Sequence, residues 1–149
     1  MAVNLKSLVG RRLGLGINGA LISNGIEISR PCVGATITVG AESTNVRAIT
    51  VQLTDANGDD INYVEEVELV LFLTADKLAY VVTGGSTGIA IGTDGALSTI
   101  VAKKVFRATS EIDGDIALTW TDTGTEAAFL GVKLPNGRIV VGAAMANAA

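Results

Sequence analysis

Histidine is absent from the 149 residues of the chain. Its absence removes the commonest general base, a usual zinc ligand and the central member of a Ser-His-Asp triad. Cys32 is the only cysteine, so an intrachain disulfide is excluded, and its neighbours Pro31 and Val33 favour a small packed residue over a reactive thiol. We therefore expect a protein made in a reducing cytoplasm, with no enzymatic activity, cofactor or metal.

Long apolar runs and aromatic residues are also scarce. No stretch approaches the roughly 18 consecutive apolar residues of a membrane-spanning helix, and the N-terminus lacks the pattern of a signal peptide. Aromatic residues make up 4% of the chain, and the sequence pI is about 4.7, whereas nucleic-acid-binding surfaces combine basic residues with aromatic ones. The sequence thus predicts a soluble chain that binds neither membrane nor nucleic acid.

What the chain does contain is short runs in which apolar and polar residues alternate, the pattern of half-buried β-strands. Two of these runs, 45–54 and 64–74, flank the polar segment 55–60, which contains an Asn-Gly pair typical of hairpin turns. The apolar positions of the two runs are Ile49, Val51, Leu53, Val67, Leu69, Leu71 and Leu73. This pattern predicts an antiparallel hairpin at the centre of the fold.

Further strands follow at the close, regular spacing of a sandwich, separated by glycine-rich turns. They are predicted at 36–39, 78–83, 88–91, 97–102, 104–108, 115–122, 127–134 and 138–143. The fold class we expect is all-β, an Ig-like antiparallel β-sandwich with Greek-key connections and Trp120 in its core. The alanine-rich C-terminal end, AAMANAA, is expected to be flexible.

Residues 1–34 differ in charge from residues 35–149. The first segment has a net charge of +3 and the second a net charge of −7. Glycines interrupt the first segment, which predicts an irregular N-terminal arm with a helical turn at 5–9 and a hairpin pairing 20–22 with 26–28. A basic arm on an acidic body is typical of a segment that binds elsewhere. We therefore divide the chain into a docking arm, 1–34, and a sandwich domain, 35–149.

Three motifs suggest chemistry, but each has a simpler structural interpretation. The carboxylates of 55–60 could bind calcium, although the segment lacks the remaining ligands of an EF-hand and suits a turn. The glycine clusters at 10–16 and 84–95 miss the spacings of nucleotide-binding loops and favour structural turns. Glu66 and Glu68 share the polar face of a predicted strand, with Glu65 on the other face, and are interpreted as solvated side chains that discourage edge pairing.

Residues 46–143 resemble the Ig-like domains of tailed-bacteriophage virion proteins. The similarity is carried, in order, by VQLTDANGDD, VELVLFLT, GIAIGTDGAL, SEIDGDIALTWTDTGTEAAFL and LPNGRIVVG. The stretch VGRRLGLGINGALIS is similar to short N-terminal modules of phage structural proteins. The resemblance implies a capsid decoration, or cement, protein on the outer head surface, bound to the major capsid protein and often present as a homotrimer of sister copies. A tail or fibre component and a host-surface or carbohydrate-binding module are the alternatives.

The arm is the part of the chain that we expect to dock. Its candidate docking residues are Arg11, Arg12, Leu13 and Leu15. Arginine can pair with carboxylates through two hydrogen bonds in a partly dried interface, and the apolar residues lie in a stretch too short to bury itself. Solvated arginines on an arm that packs against its own domain are the structural alternative.

Overall fold

The computed structural model describes residues 13–15, 21–23 and 26–147. All regular secondary structure in these residues is β. The strands are β1 (Leu13–Leu15), β2 (Leu21–Ser23), β3 (Ile26–Ser29), β4 (Gly34–Ser43), β5 (Val46–Thr54), β6 (Glu66–Phe72), β7 (Gly88–Ile91), β8 (Ala96–Val101), β9 (Val105–Thr109), β10 (Asp115–Thr121), β11 (Phe129–Lys133) and β12 (Ile139–Ala144). None of the described residues forms a helix capable of spanning a bilayer.

The first three strands form a small antiparallel sheet in the order β1-β2-β3. Strand β2 pairs with β3, with Ile22 opposite Glu27 and Ser23 opposite Ile26. The hairpin predicted between 20–22 and 26–28 is thereby confirmed. The helical turn predicted at 5–9 lies outside the described residues.

The body of the chain consists of two antiparallel sheets packed face to face, so the predicted β-sandwich is confirmed. One sheet has the order β4-β5-β10-β7, and the other has the order β12-β11-β6-β9-β8. If the β8–β9 hairpin is set aside, the two sheets match the ABED and GFC sheets of an immunoglobulin constant-type domain. Strand β6 corresponds to the third strand, C, of that domain, which is an edge strand in the constant-type fold. In this chain β9 pairs with β6, so the extra β8–β9 hairpin covers that edge.

The predicted hairpin between 45–54 and 64–74 is wrong. Strand β5 pairs with β4 and β10, whereas β6 pairs with β11 and β9 in the opposite sheet. The connecting segment folds back on β5, where the Ile61 amide donates to the Leu53 carbonyl (3.2 Å), and the Ile61 side chain is buried. The segment then crosses to the other sheet, so the alternating apolar faces of the two strands face each other across the core.

The core lies between the two sheets and is built from the alternating apolar positions. Trp120 is fully buried, as predicted. The largest fully buried side chains beside it are Ile49, Leu53, Ile61, Leu69, Leu71, Ile116, Leu118, Leu130 and Met145. At roughly 1.5–3 kcal/mol for each large apolar side chain removed from water, this core is the main source of stability.

The predicted strand at 78–83 is a short irregular segment in the structure. It makes a single bridge, between Tyr80 and Phe72, while Val81 is buried and donates its amide to the Leu71 carbonyl (3.2 Å). The run is too short to pair further because Gly84 and Gly85, both with positive φ, turn the chain away immediately after it.

The C-terminal end, which the sequence predicted to be flexible, makes specific contacts up to Asn147. Met145 is fully buried, and its amide donates to the Ala128 carbonyl (2.8 Å). The Asn147 side-chain amide donates to the carbonyls of Asn45 (2.8 Å) and Asp122 (2.9 Å), while its oxygen accepts from Arg47 Nε (3.0 Å). These bonds form a latch between the chain end and two loops of the sandwich.

The two long sides of the sandwich differ. On one side β4 and β12 lie so close that a Cβ atom added to Gly142 would stand 2.7 Å from Ile37 Cγ2. On the other side, β7 and β8 are the outer strands of their sheets. The sandwich is therefore closed along β4 and β12 and open along β7 and β8.

Candidate interaction surface

The docking residues predicted from the sequence fall partly outside the described structure. Leu13 and Leu15 are the two ends of β1 and pair with Ser23 and Leu21 of β2. Arg11 and Arg12 lie outside the described residues. The docking role of the arm therefore stays a prediction, and the described residues offer a different surface.

An apolar surface, which we call the apolar rim, is formed by Leu78, Tyr80 and Val82. Their exposed fractions are 84%, 57% and 71%, far above those of ordinary core-forming residues. Val81, between Tyr80 and Val82, is buried, so the segment is anchored to the core by Val81 and leaves its other apolar side chains in solvent. Clustered exposed apolar side chains are typical of surfaces that bind another protein.

The apolar rim rests on the outer face of the five-stranded sheet. The Tyr80 and Phe72 rings are stacked with centroids 6.0 Å apart, and Phe72 pairs with Phe129 of β11. A Cβ atom on Gly131 would lie 2.5 Å from Phe72 Cε2, so this glycine makes room for the ring. The rim is thus continuous with the Phe72 ring on the sheet.

Glu126 fixes the backbone at the end of the apolar rim. Its carboxylate accepts from the amides of Val82 (2.7 Å), Thr83 (3.1 Å) and Gly84 (3.0 Å), and also from the Thr83 hydroxyl. Burial alone would raise the pKa of Glu126, but the Thr83 hydroxyl and the three amides outweigh burial and lower it. Such hydrogen bonds favour the ionised carboxylate, so Glu126 holds the rim in place as an anion.

Two further side chains hold the glycine-rich turn that follows. The Lys103 amine donates to the carbonyls of Gly85 (3.2 Å) and Ser86 (2.7 Å), and Asp122 accepts from the Ser86 amide (3.1 Å). A Cβ atom on Gly85 would lie 2.8 Å from Trp120 Cη2. This part of the glycine cluster at 84–95 therefore serves a tight turn packed on the core, as its spacing indicated.

The opposite end of the sandwich carries the Asp55–Asp60 segment, which the structure shows as a turn. The buried Asp55 carboxylate accepts from the amides of Asn57 (2.8 Å) and Asp59 (3.1 Å). Its second oxygen lies 3.6 Å from Arg30 Nη1, which is also 3.5 Å from Asp59. No group of side chains suited to hold a metal ion occurs in the described part of the chain.

Carboxylates gather on the loops around this turn, and we call this end of the sandwich the acidic end. Its carboxylates are Asp55, Asp59, Asp60, Glu65, Asp94, Glu111, Asp113 and Asp115. Burial raises the pKa of Asp115, and the nearby charges of Asp94, Asp113 and Asp60 raise it further. The acidic end thus concentrates like charges that repel one another.

Glu66 and Glu68 lie on the outer face of β6, as the alternation predicted. They form ion pairs with Arg107 (3.2 Å) and Lys133 (3.6 Å) on the neighbouring strands. All four side chains are substantially exposed, and such pairs contribute about 0–1 kcal/mol each. Their arrangement is that of a solvated sheet face.

An open cleft of about 500 Å³ lies at the acidic end, between the turns at 55–58 and 136–138. Asp55 is the only carboxylate among the described residues that line it, and that group is already bonded to the backbone of its own turn. The lining residues therefore do not form a general acid–base pair.

Cys32 is buried and lies next to Tyr63, whose hydroxyl accepts from the Cys32 amide (2.8 Å). Burial, followed by the charge of Glu65, raises the pKa of the Cys32 thiol to about 11. The thiolate is the reactive form of cysteine, so Cys32 is an unreactive packing residue at neutral pH.

Comparison of the chain with models of known protein families, with curated proteins and with solved structures finds no match in any of the three.

Proposed function

We propose that the chain is a non-enzymatic structural protein of a phage particle, most specifically a capsid decoration protein that binds the major capsid protein on the outer head surface. The proposal combines the resemblance carried by residues 46–143 with one structural observation, the exposed and rigidly held apolar rim. A decoration protein needs a stable domain and a surface that another protein covers.

The apolar rim meets the second requirement because it loses little freedom on binding. Glu126 and Lys103 fix its backbone and the adjoining turn through hydrogen bonds, and Phe72 supports Tyr80 from below. Pre-organised apolar side chains avoid part of the entropic cost of association. On a shell with many copies, weak individual contacts also gain from high effective concentration.

The alternatives are a tail or fibre component and a host-surface or carbohydrate-binding module. Tyr80 is the only aromatic residue among the large exposed apolar side chains of the described residues, which is a sparse supply for a sugar-binding groove. Electron microscopy of particles carrying a labelled chain separates the three locations. We expect label over the whole head, and label confined to tail or fibre tips would contradict decoration.

Substitution of the apolar rim tests the binding surface. Leu78→Ser combined with Val82→Ser should leave stability within roughly 0.5 kcal/mol of wild type, because both side chains are exposed, and should lower occupancy on heads. Ile112→Ser, at an exposed apolar residue of the acidic end, is the matched control and should bind normally. Equal occupancy of both variants would show that the rim is not the contact.

A further inference from the structure

The outer face of the five-stranded sheet carries an apolar surface beside the apolar rim. Leu69 and Leu71 of β6 belong to the core, so Val70 and Phe72, which alternate with them, point to the outer face. Residues directly opposite each other in antiparallel strands share a face, and the strand register places one apolar row across all five strands. From β12 to β8, this row is Val141, Gly131, Val70, Val105 and Val101.

A second apolar row adjoins the first and leads into the rim. Phe129 lies opposite Phe72, which forms a bridge with Tyr80 of the rim. We call the row across the five strands, together with Phe129 and Phe72, the apolar band. Val101 is 48% exposed, whereas Phe72 is covered by its neighbours. Partial exposure is also found at Val105, Phe129 and Val141.

The charges beside the apolar band cancel one another. The next row of the same face contains Lys133, Glu68 and Arg107. Glu68 pairs with Lys133 at 3.6 Å, and Arg107 pairs with Glu66 at 3.2 Å. A charged partner that approached this face would therefore have to displace existing ion pairs, although residues 35–149 as a whole have a net charge of −7.

The outer face of the four-stranded sheet is different. Ile37 and Val39 of β4 pack against the core, so Thr38 between them points outward, and it is exposed. The residues that share this face through the strand register are small, and small side chains provide little apolar contact area. They include Thr36, Thr38, Ala48, Thr50, Ala117 and Thr119.

The three residues of the apolar rim are too few for a stable protein contact by themselves. A standard interface buries roughly 800 Å² on each partner and involves about 20–30 residues a side. The apolar band spans five strands, which at a spacing of about 4.8 Å corresponds to a width of roughly 19 Å. The band and the rim together therefore form a contact surface much closer to that size.

We propose that the apolar band and the apolar rim form one docking surface, which fits a partner protein whose own contact surface is apolar and has no excess charge. This inference rests on the proposed function, in which the partner is the major capsid protein. The band lies at the Phe72 end of β6, so the acidic end stays outside the contact.

A charge placed in the band tests the chemistry of the partner. The measured quantity is the concentration of chain that half-saturates phage heads assembled without it. Val101→Lys and Val101→Asp should both raise this concentration roughly tenfold, because each introduces an unpaired charge into an apolar contact. Val101→Ile keeps the contact apolar and should bind like wild type. A basic partner would bind Val101→Asp more tightly than wild type, and an acidic one Val101→Lys; either result would overturn the proposal.

Thr38→Lys and Thr38→Asp are the matched controls. They make the same changes of charge on the outer face of the other sheet and should bind heads like wild type. Circular dichroism and the thermal unfolding midpoint report whether each variant is folded. Sedimentation of the isolated chain examines the other possible occupant, since self-association that Val101→Lys abolishes would assign the band to a second copy and overturn the proposal.

The failure of this inference can be distinguished from the failure of the proposed function. If Leu78→Ser with Val82→Ser lowers occupancy while both charged Val101 variants bind like wild type, the band lies outside the contact and the proposed function stands. If the wild-type chain does not bind heads at all, the proposed function is wrong and this inference is wrong with it.

Discussion

At the scale of single residues, buried or partly buried carboxylates perform opposite tasks at the two ends of the sandwich. Glu126 is surrounded by hydrogen-bond donors and stays ionised. Asp115 is surrounded by carboxylates, and one of its oxygens is buried with no hydrogen-bond partner. Ionisation therefore stabilises the fold at Glu126 and destabilises it at Asp115.

Glu126→Gln should reduce the free energy of unfolding at pH 7 by about 1–2 kcal/mol, because an amide replaces a charged acceptor of several hydrogen bonds. The pKa of Glu126 is lower in the folded state than in the unfolded state. Its ionised carboxylate therefore stabilises the fold fully above the unfolded-state pKa, and this stabilisation is lost as pH falls through the folded-state pKa. Urea unfolding at pH 7 and at about pH 3.5, below the ordinary carboxyl pKa, should therefore show the difference from wild type shrinking. Glu66→Gln, which removes an exposed ion pair, is the control and should change stability by less than about 1 kcal/mol at either pH.

Asp115→Asn should have the opposite sign and stabilise the protein at pH 7, by less than about 1 kcal/mol. Because the folded-state pKa of Asp115 is raised, its ionisation costs stability above that pKa, and the cost disappears below the unfolded-state pKa. The stability gained by the variant should accordingly vanish in acid. A variant less stable than wild type at pH 7 would mean that the Asp115 charge is compensated.

At the scale of strands, the sequence determines the side of each strand that is buried more firmly than the identity of its partner. Alternation correctly identified Ile49, Val51 and Leu53 as one buried face, because a period of two follows from strand geometry. Alternation did not show that β5 and β6 belong to different sheets. Two strands have the same alternating pattern whether they are neighbours in one sheet or face each other from opposite sheets.

The candidate surface was harder to predict than the fold. The run 78–83 was predicted to be a strand, and its residue types do not show which of its side chains are covered. The sequence signals against a regular strand at 78–83 are Asp76 before the run and the Gly84–Gly85 pair after it. These turn residues leave too little chain for a fully paired strand. The role of Glu126, far away in sequence, had no local signal.

The C-terminal latch provides a test at the same scale. Removal of residues 145–149 should destabilise the sandwich by about 3 kcal/mol or more, because it removes buried Met145 and the bonds of Asn147. Removal of 148–149 alone should leave the thermal unfolding midpoint nearly unchanged. Equal stability of both truncated chains would restore the expectation of a free tail.

At the scale of the whole molecule, the arm and the sandwich can be separated experimentally. Arg11→Ala with Arg12→Ala, or deletion of residues 1–30, should leave the sandwich folded and lower its occupancy on heads, if the basic arm docks as the charge difference predicts. Occupancy is measured by gel densitometry of purified particles. Wild-type occupancy by the deletion variant would exclude a docking role for the arm, and failure to fold would place the arm in the core.

The separation of the acidic end from the apolar rim has a consequence for approach to a surface. Strand β6 runs from Glu66, next to the acidic loops, to Phe72, below the rim, so the two features lie at opposite ends of the strand axis. The described residues 26–147 therefore carry more negative charge at one end of that axis than at the other. In the field of a negatively charged surface, this uneven charge of residues 26–147 favours orientations in which the acidic end points away and the rim points forward before any contact is made.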